Sequence, residues 1–171
     1  SGTFVAPPKH SYVRQLTSFS EDADSQGRSA GSTILDVSHV VPDEDTLTEL
    51  QLPPGHRVHR VERLRLLDGV PHAHEVAFLA GRLPRLKSKI TEDTSLYALL
   101  TSHYGVRLAE VEDAVETALA SPPEAAILGV EVGAPLLVVH RLAKDEAGVP
   151  VEFTRSRFRG DRSRFVARLK I

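Results

Sequence analysis

The sequence predicts an α+β fold, an antiparallel β-sheet covered by helices, and three observations carry that reading. Residues 57–67 and 71–79 are strand-like runs flanking Asp68-Gly69, a dipeptide suited to a two-residue hairpin turn. Residues 135–143, 149–159 and 163–170 are three more such runs, separated by turns at Glu146-Ala-Gly148 and Gly160-Asp161. Short segments with helix-start signals lie between the strand runs, and hairpins join only antiparallel strands.

Along the chain, Thr3-Phe4-Val5 is strand-like and runs into Pro7-Pro8, a stiff linker. Residues 16–26 predict a short helix, with Ser18 as cap and Glu21 as its capping-box partner. Asp24 through Ser32 is small and polar, hence a loop. Ile34, Val37 and Val40 mark a strand. Pro42 opens a short helix to about Leu50, capped by Asp45 or a neighbour, whose acidic first turn suits the helix dipole. Ser95 starts a helix that buries Leu96, Leu99 and Leu100 and stops at Tyr104-Gly105. Residues 109–119 form a strand, and Pro122-Pro-Glu begins a last helix. No repeat is visible.

Length and composition narrow the function. At 171 residues the chain is one domain by length, with an ordinary soluble composition of 41% hydrophobic and 26% charged residues. A net charge of -2 gives no electrostatic case for nucleic-acid binding by these residues themselves. Without cysteine there is no disulfide frame, thiolate metal site or thiol nucleophile, which suits the cytoplasm. No apolar run is long enough to span a membrane.

Candidate site residues come from strand parity and helix starts. Glu152, Thr154, Ser156 and Phe158 share one strand face, so a polar set turns toward the covered side of the sheet. Arg63 and Arg65 also share a face, roughly 7 Å apart. At that distance two unit charges repel by about 2 kcal/mol. Either carboxylates such as Glu75 or Glu152 pair with them, or an anionic ligand does, and guanidinium suits phosphate or carboxylate. Ser20 and Ser95 sit at helix starts, where free backbone N–H groups favour anions, although plain capping is the commoner reason for a serine there. His72 and His74 with Glu62 or Glu75 lack a clear third metal ligand, so no metal and no cofactor is expected. No nucleophile elbow, phosphate-binding glycine loop or zinc-protease motif is present, and no catalytic residue is assigned.

One succession of motifs resembles a known family. It runs Gly2-Thr3-Phe4-Val5-Ala6, Leu16-Thr-Ser-Phe-Ser20-Glu-Asp, Arg63-Leu-Arg65 with Asp68-Gly69, Ser95-Leu-Tyr97 and Leu128-Gly-Val. It ends in Gly148-Val-Pro-Val-Glu152, Arg159-Gly-Asp-Arg162 and Phe165. Together these resemble the ligand-sensing UTRA domain of HutC-subfamily GntR transcription regulators, most closely those of amino-sugar use. The resemblance implies a chorismate-lyase-like fold and a non-enzymatic sensor; a lyase activity is the less favoured alternative. It assigns residues 1–12 to the end of a winged-helix wing plus linker, and 13–171 to the sensor. It implies a homodimer that meets operator DNA only through the preceding winged-helix head. It further implies a phosphorylated amino sugar as effector, such as glucosamine 6-phosphate or N-acetylglucosamine 6-phosphate. Ser20, Arg63, Arg65, Ser95 and Tyr97 would surround the phosphate, and Glu75 and Glu152 would accept hydrogen bonds from the sugar. Phe158 stands where those relatives carry a tyrosine, so a hydroxyl contact is missing there. His72-Ala73-His74 replaces a more apolar run, and Ser20 replaces threonine.

Overall fold

The computed structural model describes Val5, residues 9–13, Ala23 and residues 26–167. The expected strand at Thr3-Phe4, most of the expected 16–26 helix and Ser20 lie outside the described residues. The strands are β1 (His10–Val13), β2 (Ala30–Val40), β3 (Val58–Leu67), β4 (Val70–Leu79), β5 (Leu108–Leu119), β6 (Pro135–Asp145), β7 (Pro150–Arg159) and β8 (Ser163–Val166). Between them lie helices α1 (Glu44–Glu49), α2 (Leu86–Lys89), α3 (Leu96–Tyr104) and α4 (Pro122–Leu128). Six strands form one antiparallel sheet in the order β2-β3-β4-β7-β6-β5, and β1 pairs in parallel with β8 in a small second sheet. Strand β1 crosses the linker boundary expected at residue 12.

The strand order hides a duplication. Strand–helix–hairpin occurs as β2-α1-β3-β4 and again as β5-α4-β6-β7, and β4 meets β7 at the centre. The two halves are thus related by an approximate two-fold axis through the sheet, and both hairpins enter their second arm through Gly-Val-Pro, at 69–71 and 148–150. This topological repeat corrects the expectation of none: it lies in element order, while the two sequences share little else.

Local chemistry explains the elements and their departures from expectation. Asp68 (φ 50) and Gly69 (φ 77) both take the left-handed conformation a two-residue hairpin requires. Arg28 Nε at 2.7 Å and the Ser29 N–H at 3.0 Å donate to the Asp68 carboxylate and fix the turn. Of Asp45 and its neighbours it is Asp43 that caps α1, accepting from the Thr46 N–H at 2.8 Å. Strand β2 begins at Ala30, earlier than its small polar residues suggest, because Ala30–Ser32 pair with Arg65–Leu67. A bulge at Leu35 lets both Ile34 and Val37 face inward despite their three-residue spacing. Strand β8 spans Ser163–Val166, and residues 168–170 of the expected run lie outside the described residues.

Helices cover both faces. On one, Leu83, Leu86, Ile90, Leu96 and Leu100 of the α2–α3 segment pack on Val61, Ala77 and Leu79. Burying each such leucine contributes about 1.5–3 kcal/mol. On the other, α1 seals Val58, Phe78 and Phe153 through Leu50, and α4 packs Ala125 and Leu128 on Leu136 and Leu64. Ion pairs Arg155–Asp43 and Arg157–Glu124 tie each of these two helices to β7. No helix among the described residues is long and apolar enough to cross a membrane.

Candidate functional site

The α2–α3 face of the sheet carries the predicted polar set. Strand register aligns Arg63 with Glu75, Glu75 with Ser156, Ala77 with Thr154, and Thr154 with Arg141. Asp113 lies opposite Arg141 on β5. A row of charged and hydroxyl side chains therefore crosses five strands at mid-sheet. Arg63, Arg65 and Glu152 are each 3% exposed, as buried as the apolar core around them. Burial of that kind is costly without partners.

Glu75 supplies the partner for both arginines. Arg63 Nη2 donates to Glu75 Oε1, and Arg65 Nη1 lies 3.5 Å from the same oxygen. Burial pushes the Glu75 carboxyl up, but the two guanidinium charges more than offset it and hold it below the usual carboxylate range. Arg63 Nη1 also donates to the Thr94 carbonyl at 3.2 Å, pinning the chain just ahead of α3. The Ser95 hydroxyl there accepts from the Ala98 N–H at 3.4 Å, a loose cap. The arginine pair and the start of α3 thus converge.

Glu152 has the opposite character. Burial, then the nearby Glu75 charge, pushes its carboxyl above the usual range. The Tyr97 phenol reaches down from α3 against Glu152 and Arg141; burial, then the Glu152 charge, raises it well above an ordinary tyrosine. Arg141 forms a two-pronged pair with Asp113 at 2.7 and 2.8 Å. Glu152 hydrogen-bonds with Tyr97 and Thr154, while Arg63 Nε is buried without a hydrogen-bond partner among the described residues. Buried polar atoms are nearly always satisfied, so the row keeps unmet hydrogen-bonding capacity beside Arg63.

Phe158 closes one end of the row. It packs with Ala73, Val139, Leu137 and Phe165, edge-on to the Phe165 ring at 5.4 Å. Of the remaining histidines, His72 Nε2 meets the Arg162 carbonyl at 3.1 Å and His74 Nε2 meets Glu62 at 2.7 Å. The pair does not share a site: His72 is the extra residue of a bulge in β4, between Pro71 opposite Leu66 and Ala73 opposite Arg65, whereas His74 stays in register opposite Leu64. The structure therefore gathers Arg63, Arg65, Glu75, Ser95, Tyr97, Glu152 and Phe158 on one face. Sequence reading missed Arg141, Asp113 and the Thr94 carbonyl. Arg141 could have been found, since it shares inward parity with Leu137, Val139 and Ala143.

The UTRA domain profile matches residues 25–164. This chain belongs to the UTRA domain family. The chain is 35% identical over 166 residues to the HTH-type transcriptional repressor PhnF of Mycolicibacterium smegmatis, covering 96% of this chain and 68% of that protein. It is 31% identical over 166 residues to the HTH-type transcriptional repressor NagR of Bacillus subtilis, with the same coverage of each. The crystal structure of PhnF from Mycobacterium smegmatis superposes with a TM-score of 0.89 at 34% identity, over 97% of this chain and 74% of that one. The effector domain of PhnF alone gives 0.88 at 33% identity, over 94% of this chain and 99% of that one. The chain is therefore the sensor domain of a GntR-type transcription regulator, and its role is regulatory rather than enzymatic.

Proposed function

We propose that this domain senses a phosphorylated sugar and passes that information to a DNA-binding head in the same protein. The observation that supports it is the division of the buried row into two chemistries. Its cationic end, Arg63 and Arg65 beside the α3 start, suits a phosphate. Its other end, Glu152 with Thr154 under the Tyr97 phenol, suits sugar hydroxyls. Ser95 completes the phosphate side in this reading and Ser20 adds to it, Tyr97 reaches from that helix start to the sugar end, Glu75 and Glu152 accept from the sugar, and Phe158 forms an apolar wall. The active molecule is a homodimer whose two heads read paired half-sites of operator DNA.

The relatives include repressors named for histidine utilisation and fructoselysine utilisation. A carboxylate-bearing effector on the same arginine pair is accordingly the second reading. Thermal unfolding separates the two. At one hundred times its dissociation constant a ligand adds about 2.7 kcal/mol, a rise of roughly 5–10 °C at this size. Glucosamine 6-phosphate or N-acetylglucosamine 6-phosphate is expected to give that rise, and the parent sugars and inorganic phosphate are not. A flat response to all phosphosugars with a rise on an amino acid or its conjugate would replace the first reading by the second.

A further inference from the structure

A second concave surface lies at the opposite end of the sheet from β1 and β8. It is a groove of ≈ 860 Å³ between the β2–β3 ends and the segment joining β4 to α2. Its floor is apolar, with Val37, Leu83 and Leu86. His39 and His59 form one wall, their rings 4.7 Å apart. Arg57, Arg82, Arg85 and Lys87 line the rest, and no carboxylate does. Among the described residues none of these four cations joins an ion pair, whereas Arg60, Arg141, Arg155 and Arg157 all meet carboxylates. Asp36, whose charge Lys87 feels, is already held by Arg60 at 2.8 Å. Arg85 is in the left-handed conformation (φ 59), unfavourable for a side chain of its kind, and so the backbone holds this cation at the groove against its own preference.

Four unneutralised cations around one concavity repel one another, and an anion relieves that repulsion. Guanidinium groups match phosphate oxygens in pairs. Flat imidazole faces and an apolar floor suit a planar organic body rather than a bare ion. We propose that this groove is a second ligand site that takes an organic di- or triphosphate. Its phosphates lie on the Arg82–Lys87 rim and its planar body on the His39–His59 wall. The site is separate from the buried row: His59 precedes Arg63 by four residues on β3, about 13 Å along the strand.

Isothermal titration with ATP and with inorganic tripolyphosphate tests it on three proteins. These are the wild-type chain, the surface variant Arg82→Glu/Lys87→Glu, and Ser95→Asp, which keeps a good helix cap but places a carboxylate in the buried row. ATP is expected to bind the wild type and Ser95→Asp alike, and the double variant at least about tenfold more weakly. It is also expected to bind about tenfold more tightly than tripolyphosphate, the factor that one ring-stacking contact contributes. Loss of ATP binding in Ser95→Asp with retention in the double variant would assign it to the buried row and overturn the proposal. Equal affinity for tripolyphosphate would overturn the organic ligand, and absence of binding to either anion would overturn the site.

Discussion

Glu75 and Glu152 lie on adjacent central strands, and their surroundings push them in opposite directions. Glu75 is held below its ordinary value of 4.5 once the Arg63 and Arg65 charges have overcome burial. Its ionised form therefore stabilises the fold above pH 4.5, and that contribution is lost as pH falls through the lowered value. Glu75→Gln removes the carboxylate charge that the buried Arg63 and Arg65 share and is expected to cost about 3–5 kcal/mol at pH 7. Denaturant unfolding at pH 7 and pH 3 checks this: the cost should shrink in acid. Glu152 is raised above 4.5, first by burial and then by Glu75. Its ionisation works against folding, so stability falls as pH rises from 4.5 through the raised value. Glu152→Gln is therefore expected to raise Tm at pH 8 and leave it unchanged at pH 3.5, while weakening binding of the proposed phosphosugar by about tenfold or more. A variant that is both more stable and less able to bind marks a residue kept for its ligand; one that loses stability at pH 8 would show Glu152 to be a structural acceptor.

At the scale of elements, what was legible in the sequence was what depends on neighbours in the chain. Asp68-Gly69 needs only its own backbone angles to turn, and parity alone aligned Arg63 with Arg65 and Glu152 with Thr154 and Ser156. Features that depend on another strand were not legible. The bulge at Leu35 is visible only against β3, the Arg141–Asp113 pair only across β5 and β6, and the four-residue α2 only where Leu86 drops into the core. Gly160, in the Arg159-Gly-Asp-Arg162 motif, has no unusual φ to demand glycine. A Cβ there would meet the Pro135 carbonyl oxygen at 2.6 Å, while the Gly160 N–H donates to that same oxygen at 2.9 Å. Gly160→Ala must part the ends of β6 and β7, and it is expected to cost about 1–3 kcal/mol in chemical denaturation. Ser95→Ala removes the α3 cap and should cost about 1 kcal/mol. If the hydroxyl also touches phosphate, calorimetry will show a loss of affinity beyond that expected from a frayed helix, with inorganic sulfate as an unspecific control.

For the whole molecule, the proposed function requires the sensor to connect its buried row to the chain that would lead toward a DNA-binding head. The described residues contain one short route. Phe158 faces the row beside Ala73, its ring meets Phe165 of β8 edge-on, and Phe165 is the register partner of Tyr12 in β1. The His72 contact to the Arg162 carbonyl braces the same corner from β4. A ligand seated against Phe158 shifts that ring only if β8, and with it β1, shifts too, because packed aromatic faces do not deform smoothly. Coupling between two sites is typically 1–3 kcal/mol, so effector should change the operator affinity of the full-length protein by about 5- to 150-fold. Phe165→Leu removes the edge-on contact but keeps apolar volume. It is expected to leave affinity for the proposed phosphosugar within about twofold, because Phe165 lies behind Phe158 and not in the row, and to reduce the effector's influence on operator binding to a few-fold. Calorimetry of the sensor and operator titration of the full-length protein read the two quantities separately. Unchanged coupling in Phe165→Leu would move the route to α3, which the Arg63 bond to the Thr94 carbonyl links to the row.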